Sequence, residues 1–537
     1  MRGNKKLQVW LPLIFSLVMI AGMFLGYKLN DRSGTEKGFF ASNRRSTLQE
    51  ALDLIRLRYV DPVRLDSLQG QAIQEMMDHL DPHSVYFPPV ELKEANEDLA
   101  GNFEGIGVEF NLFNDTVHVV YVIPGGPSDA AGLQTGDRIV RVNDSLLAGR
   151  SLSADDIKNR IRGARDSEAR LQIIRDGKPM NITVTRGRIP VSSVDAAYMM
   201  DRTTGYIRLN KFTEKSYEEF MESLEMLKKQ NLQQLVFDLR GNGGGFMNEA
   251  VDIADEFLSG DKLIVYTEGV NSRKREYKCK RPGLFEEGKL VVLVDELSAS
   301  ASEVIAGTLQ DWCRATIIGR RTFGKGLVQE QYNLSDGSAI RLTVARYYTP
   351  LGRSIQRPYE GGKKVYMDDL WERFSTGEML SEDSLKNTNG KKYFNACRDT
   401  LYGSGGITPD VFVGLDTSHS LQKIYRLINN NGFSRYVYDY YLRHRNEIGQ
   451  YQSAADYKQQ FNQTDAMWQG LLQFNGNDTS GFSRVNETEM ELLKIRLKAL
   501  LARYRWRNSG FYEVLNNEDP TIKKALEVLA KNKKQPQ

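Results

Sequence analysis

The stretch Val291-Val292-Leu293-Val294-Asp295-Glu296-Leu297-Ser298-Ala299-Ser300-Ala301-Ser302-Glu303 reads as a buried strand that turns, through small residues, into a helix. An unbroken apolar run bounded by turn signals fits a strand covered on both faces, and helical apolar spacing resumes at Val304, Ile305 and Leu309. A serine on such a turn lies at a helix N-terminus, where free N–H groups can stabilise a developing oxyanion. Taken alone, Ser298, Ser300 and Ser302 read more simply as helix caps.

Around this stretch, strands alternate with helices from residue 189 to 410: strands at 205–209, 234–239, 289–294 and 315–318, and helices over 215–230, from Asn248 and from Ala301. That alternation predicts an α/β core. Within it, Thr322-Phe323-Gly324-Lys325-Gly326-Leu327-Val328-Gln329 sets one lysine among glycines and apolar side chains. A lysine acts as a general base only where desolvation or nearby positive charge lowers its pKa from about 10.4. The segment Phe237-Asp238-Leu239-Arg240-Gly241-Asn242-Gly243-Gly244-Gly245 runs from a strand into a turn whose backbone N–H groups suit an oxyanion hole or a phosphate nest. It fits neither nucleotide-binding glycine pattern. The five histidines, His79, His83, His118, His419 and His444, fall outside 189–410, which excludes a Ser-His-Asp triad confined to the core.

The remaining features bound the setting. A chain of 537 residues, 40% hydrophobic and 26% charged, is ordinary globular material for several units. A net charge of +3 supplies no field for a phosphate backbone, so no nucleic acid partner is expected. Cys279, Cys313 and Cys397 form no CxxC pair, which argues against a thiolate zinc site and leaves one disulfide open. Arg2, Lys5 and Lys6 precede a charge-free run, residues 7–27, long enough for a hydrocarbon core of about 30 Å. The expectation is an uncleaved signal anchor over residues 1–30 with its N-terminus in the cytoplasm and everything beyond it on the extracytoplasmic, periplasmic side of the cytoplasmic membrane.

Residues 40–99 read as short helices broken at Asp61-Pro62 and Asp81-Pro82. Residues 100–187 read as a compact, mostly β module with runs at 117–123, 138–142, 170–175 and 180–185. The α/β core is assigned to 188–410. Residues 411–537 turn helical and polar, with amphipathic stretches at 436–444 and 487–505 and a tyrosine-rich stretch, 436–441, expected to be helix–helix core.

The ordered set Asp238-Leu239-Arg240-Gly241-Asn242-Gly243-Gly244, Ser298 to Glu303, Thr322-Phe323-Gly324-Lys325-Gly326 with Val328-Gln329, Thr349-Pro350-Leu351-Gly352 and Gly405-Gly406-Ile407-Thr408-Pro409-Asp410 closely resembles the C-terminal processing (tail-specific) proteases of the S41 class. In the β module, Gly105-Ile106-Gly107-Val108, Pro124 to Leu133 and Gly136 to Asn143 resemble a PDZ domain. The resemblance implies an α/β core of ClpP/crotonase-like type with an inserted, mostly-β PDZ domain between N- and C-terminal helical regions. It implies a serine endopeptidase that cleaves exported proteins near their C-termini after the PDZ domain captures the tail. By the resemblance Ser300 is the nucleophile, Lys325 the general base and Gln329 the residue that orients the lysine. The amides of Ala301 and of Gly243 or Gly244 are the oxyanion donors. Gly105, Ile106, Gly107 and Val108 hold a peptide carboxylate with an apolar last side chain, and Arg186 either couples tail binding to assembly of the site or makes a surface salt bridge. Protein or peptide C-terminal tails are the implied partners; a homo-oligomer and an adaptor protein are left open, and no metal or organic cofactor is implied.

Two departures stand out: Leu297 occupies a position where relatives carry a smaller residue, and a polar insert, 357–404, follows the strand expected to end at Gln356. The insert reads as a lid, an oligomer contact or an idle loop. Two other readings compete: a catalytically silent PDZ-bearing peptide-binding protein on the same core, and an enzyme of the crotonase type. Intact Ser300, Lys325 and Gln329 count against the first, and the PDZ module and export segment against the second.

Overall fold

The computed structural model describes residue 10 and residues 15–24, 46–384, 391–416, 421–476 and 481–531. The chain divides into two compact units, Met1–Gln74 and Glu75–Gln537. In the first, residues 15–24 are helical, and helix Thr47–Arg58 starts at Ser46, whose hydroxyl accepts the Gln49 N–H at 3.2 Å. The anchor expected over residues 1–30 lies partly outside the described residues; among those described, no helix is long and apolar enough to cross a membrane.

The second unit is organised by two sheets. One runs in the order Val194–Met199, Thr204–Leu209, Gln234–Asp238, Lys289–Val294, Thr316–Gly319, Val411–Phe412; its first pair is antiparallel and the others parallel. The run 289–294 is central in this sheet and buried on both faces, which is why it carries no alternation. The other sheet is antiparallel, in the order Val85–Phe87, Ala339–Tyr348, Leu263–Glu268, Arg275–Lys278, with Leu327–Asn333 also paired to Ala339–Tyr348. Strand Ala339–Tyr348 ends at Tyr348 and not at Gln356 as the sequence predicts, because Thr349-Pro350-Leu351-Gly352 folds the chain back so that Ser354 bridges Tyr348.

Helix Ala301–Asp311 shares one core with residues of both sheets, and every one of its residues is buried. Its polar groups are accordingly paired: Thr308 donates to the Ile264 carbonyl at 2.6 Å, Gln310 to Thr408 O and Asp410 Oδ1, and Asp311 meets buried Arg353 at 2.6 Å. Helices Ser216–Lys229 and Met247–Asp255 pack on the same face of the parallel sheet. Its opposite face is covered from the far end of the chain by helix Pro520–Ala530, through Ile522, Ala525 and Leu529 on Tyr206, Val236, Val291 and Leu293. Cys313, just past the central helix, is joined by a disulfide to Cys397 beside the hairpin Lys392–Phe394 and Thr400–Tyr402, pinning the insert to the core.

The β module has its own core around Val117, Ile139, Leu171 and Ile173, closed by helix Ala154–Ile161. The C-terminal helices touch it as well as themselves. Tyr436 and Tyr440 lie in the helical core, as the tyrosine-rich stretch predicted, whereas Tyr438 packs on Phe113 and Val120 and donates to Val119 O at 3.0 Å. Helix Glu487–Leu515 is kinked at Arg507 (φ 59°), whose guanidinium stacks on Tyr121 and pairs with Glu109; the next residue, Asn508, donates to Asp195 in the edge strand of the parallel sheet.

Because helix Pro520–Ala530 buries its apolar side chains on the centre of one face of the parallel sheet, truncating its buried anchor is expected to be costly. Ile522→Ala should lower stability by about 2–4 kcal/mol in urea unfolding, against less than about 0.5 kcal/mol for the exposed Lys523→Ala.

Candidate active site

The three serines of the turn are separated by what they bond. Ser298 Oγ donates to Leu239 O at 2.8 Å and Ser302 Oγ to Asn242 O at 2.9 Å, so both hydroxyls pin the glycine-rich turn to the serine turn. Ser300 between them has φ 56° and ψ −113°, a conformation that non-glycine residues hold only when the surroundings impose it. What imposes it is Glu303. Its fully buried carboxylate accepts the Ser300 N–H at 2.8 Å, the Thr322 hydroxyl at 2.5 Å, the Gly324 N–H at 2.7 Å and the Lys325 N–H at 2.9 Å. One carboxylate thus joins the serine turn to the lysine loop. Burial raises its pKa above the ordinary carboxylate value, and these hydrogen bonds offset that only in part.

Two further contacts lock the loops together. Phe323 N–H donates to Ser298 O at 3.0 Å, and the buried Tyr347 hydroxyl reaches Ser300 O at 3.0 Å and also Lys325 O. Ser300 therefore comes from the end of the parallel sheet and Lys325 from the start of strand Leu327–Asn333 in the antiparallel one.

The Lys325 amine donates to Gln329 Oε1 at 3.0 Å, and among the described residues no hydrogen bond joins it to the Ser300 hydroxyl. Burial, and then the positive charge of Arg341, lower the lysine pKa from its ordinary value; Asp81 and Glu303 act in the opposite sense. Gln329 Nε2 donates in turn to the carbonyl of His83. His83 stands in a turn organised by Asp81, whose carboxylate takes the N–H groups of His83 and Ser84 and the Ser84 hydroxyl. In the sequence Asp81-Pro82 read only as a helix break, and His83 as a histidine outside the core. Burial and the adjacent Lys325 drive the His83 pKa to about 3, too weak a base to compete with the lysine near neutral pH.

The oxyanion side is set by Asn242, which is buried and donates to Leu209 O at 2.9 Å while its own carbonyl takes the Ala299 N–H at 3.0 Å. Asn242 Oδ1 accepts the Gly244 N–H at 2.9 Å, which removes Gly244 as a donor. Gly244 instead provides clearance: a Cβ there would stand 2.8 Å from Ser300 Cβ. The amides of Gly243 and Ala301 have no hydrogen-bond partner among the described residues, so of the two glycines Gly243 is the donor the geometry leaves. Behind the turn, Asp238 is fully buried between Arg208 and Arg240, and Arg240 reaches on to Asp519 at 2.8 Å. Burial would raise the Asp238 pKa, but the two guanidiniums outweigh it and hold it below the usual range.

In the β module, Gly105 pairs with Gly187, Ile106 O accepts the Ser128 N–H at 2.9 Å, and Gly107 turns at φ 77°. The N–H groups of Ile106 and Gly107 have no partner among the described residues, and strand Val108–Phe113 is an edge of its sheet. The Ile106 side chain is core, 1% exposed. Arg186 is spent inside the module, donating to Ile161 O at 2.8 Å, Ser167 Oγ at 3.0 Å and Glu168 O at 2.7 Å. Among the described residues it has no salt-bridge partner and no hydrogen bond to Ser300 or Lys325. Leu297 is 50% exposed beside the serine turn.

Residues 203–362 match Peptidase family S41, residues 105–185 match the PDZ domain, and residues 424–507 match a family of unknown function (DUF8443). The carboxy-terminal-processing protease of Bartonella bacilliformis is 32% identical over 352 residues, 63% of this chain and 80% of that protein. The chain belongs to this protease family. The carboxyl-terminal-processing protease of Synechocystis sp. is 34% identical, covering 66% of this chain and 86% of its own. CtpB of Bacillus subtilis is 31% identical, covering 63% and 71%. This protease is thus a serine-type peptidase of family S41 carrying a PDZ domain.

Since the Glu303 carboxylate accepts four hydrogen bonds from both loops, replacing it with the neutral amide should cost more than a hydrogen bond. Glu303→Gln turns an NH2 group toward backbone N–H donors; stability in urea should fall by about 2–4 kcal/mol and peptide cleavage by at least about 100-fold.

Proposed function

We propose that this protease is a C-terminal processing endopeptidase working through a Ser300/Lys325 dyad. The observation that carries the reading is the meeting of a strained serine, a part-buried lysine of lowered pKa and two unpaired amides around one carboxylate. Neutral Lys325 takes the hydroxyl proton as Ser300 Oγ attacks the scissile carbonyl; the carbonyl oxygen becomes an oxyanion held by the amides of Ala301 and Gly243. The protonated amine then delivers its proton to the leaving amine, and water hydrolyses the acyl-enzyme by the same route in reverse. Gln329 holds the amine, and proton transfer requires Nζ to come within hydrogen-bond reach of Ser300 Oγ. The parallel strands and the amide-lined turn support reading the core as ClpP/crotonase-like.

The PDZ module supplies the choice of substrate. A peptide adds along the edge of strand Val108–Phe113 with its carboxylate at the Ile106 and Gly107 amides, and an apolar last residue fits a loop that offers no counter-charge. The placement on the periplasmic side of the cytoplasmic membrane rests on the charge-free run 7–27 alone. The silent peptide-binding alternative is not favoured, since nothing in the dyad is missing.

Incubating the full chain with an unstructured peptide ending in valine, and reading products by mass spectrometry, tests this directly. Ser300→Ala and Lys325→Ala should each abolish cleavage, Gln329→Ala should lower kcat by about tenfold, and a peptide ending in aspartate should be cut poorly. A wild-type rate in either dyad variant would overturn the assignment. The rate should rise with pH as Lys325 loses its proton, with a midpoint below the ordinary lysine value of about 10.4; a midpoint at or above that value refutes a desolvated base.

A further inference from the structure

The helix of the insert, Gly362–Ser375, is built inside out. Its buried residues are Tyr366 and Arg373, whereas Met367, Trp371 and Phe374, spaced along one face, are 52%, 71% and 40% exposed. A helix that docks by hydrophobic burial shows the opposite pattern. Its inward, polar face is directed at the lysine loop. Arg373 Nη1 donates to Thr322 O at 2.8 Å and Nη2 to Phe323 O at 3.3 Å. Arg357, at the start of the insert, lies between the rings of Phe323 and Tyr366, 4.0 and 3.8 Å from their centroids, and its N–H donates to Gly324 O. Asp369 pairs with both Arg357 and Arg373.

The same helix reaches the lysine side chain by a second route. Tyr366 Oη bonds His83 Nε2 at 2.8 Å; the His83 carbonyl holds Gln329 Nε2, and Gln329 Oε1 holds the Lys325 amine. Buried ionic contacts of this kind add little net stability but define one arrangement.

We propose that Tyr366 and Arg373 are positioning residues for Lys325: Arg373 fixes the backbone that carries the lysine, and Tyr366, through His83 and Gln329, fixes the direction of its amine. This rests on the reading of Lys325 as the base. The insert is then neither a lid nor an idle loop but the back wall of the base, excluding water from it. The groups facing Lys325 from other elements are Arg341 of the antiparallel sheet, Asp81 and His83 of the N-terminal turn, and Glu303 of the central helix, with Arg357 and Lys363 of the insert facing His83. Neither Tyr366→Phe nor Arg373→Ala replaces any of these groups, and Tyr366→Phe removes no charge, so a change in the titration of the base in that variant reports hydration and geometry.

The test compares the full chain and its Tyr366→Phe, Arg373→Ala, Arg373→Lys and Lys325→Ala variants on the valine-ending peptide, measuring kcat and KM across pH together with urea unfolding. Tyr366→Phe and Arg373→Ala should lower kcat at neutral pH by about tenfold or more with KM within about twofold. They should shift the acidic limb of the profile upward by about half a unit to one unit, so that much of the lost rate returns at high pH. Arg373→Lys should recover part of the loss. A wild-type kcat and limb in both variants, or a loss that is the same at every pH, overturns the proposal. If Arg373→Ala shows no cooperative unfolding, Tyr366→Phe, which loses one hydroxyl and keeps its ring on Arg357, decides alone. Activity retained in Lys325→Ala would instead refute the base assignment underneath.

Discussion

The Glu303 carboxylate is the constraint on which the site depends. It is fully buried, and its charge is borne by donors from two segments that belong to different sheets. A buried anion without such donors would be prohibitively costly, so the serine turn and the lysine loop are held to the positions that supply them. The strain at Ser300 is one consequence. Another is the seating of Thr322, whose hydroxyl donates to Glu303 and accepts the Ile407 N–H at 2.6 Å, drawing in the segment that leads to the last strand of the parallel sheet.

Around this knot the neighbouring polar groups are tied to partners distant in the chain as well as to near neighbours. Asn242 sets the oxyanion turn through Leu209 and Ala299, Asp238 supports it through Arg208 and Arg240, and Arg240 is tied to Asp519 at the cap of the helix that packs on the sheet. The C-terminal region is therefore structural to the protease core. It also grips the PDZ module: Tyr438 sits on the back of its sheet, and Arg507 and Asn508 at the helix kink reach Glu109 and Asp195 respectively. Glu109 belongs to the edge strand proposed to receive the tail, so a peptide added there would lie beside the contacts that join the module, helix Glu487–Leu515 and the core.

Much of the local architecture is legible along the chain because it is written in nearest-neighbour chemistry. The apolar run 289–294, the helical spacing after Ala301 and the glycine turn after Asp238 each follow from periodicity and backbone freedom over a few residues, and each forms where that pattern lies. Ser300, Lys325 and Gln329 are singled out by residue type and by resemblance; the backbone N–H groups of Ser300 and Lys325 share Glu303, and the lysine amine bonds Gln329. The choice among Ser298, Ser300 and Ser302 is a different matter, since only the partners Leu239 and Asn242 show which hydroxyls are already spent.

The sequence by itself determined the elements, the glycine positions that allow close backbone approach, and the set of residue types able to do acyl-transfer chemistry. Tertiary structure alone decided that Glu303 joins the two loops, that Gly243 and not Gly244 keeps a free amide, that His83 enters from the N-terminal side to hold Gln329, and that Arg186 is spent within its own module. The same holds for the insert, whose inward polar face looks in sequence like a solvated surface. The reason is physical: periodicity and turn propensity act over a few residues, whereas the satisfaction of a buried charge or amide depends on which distant segment the fold brings within about 3 Å.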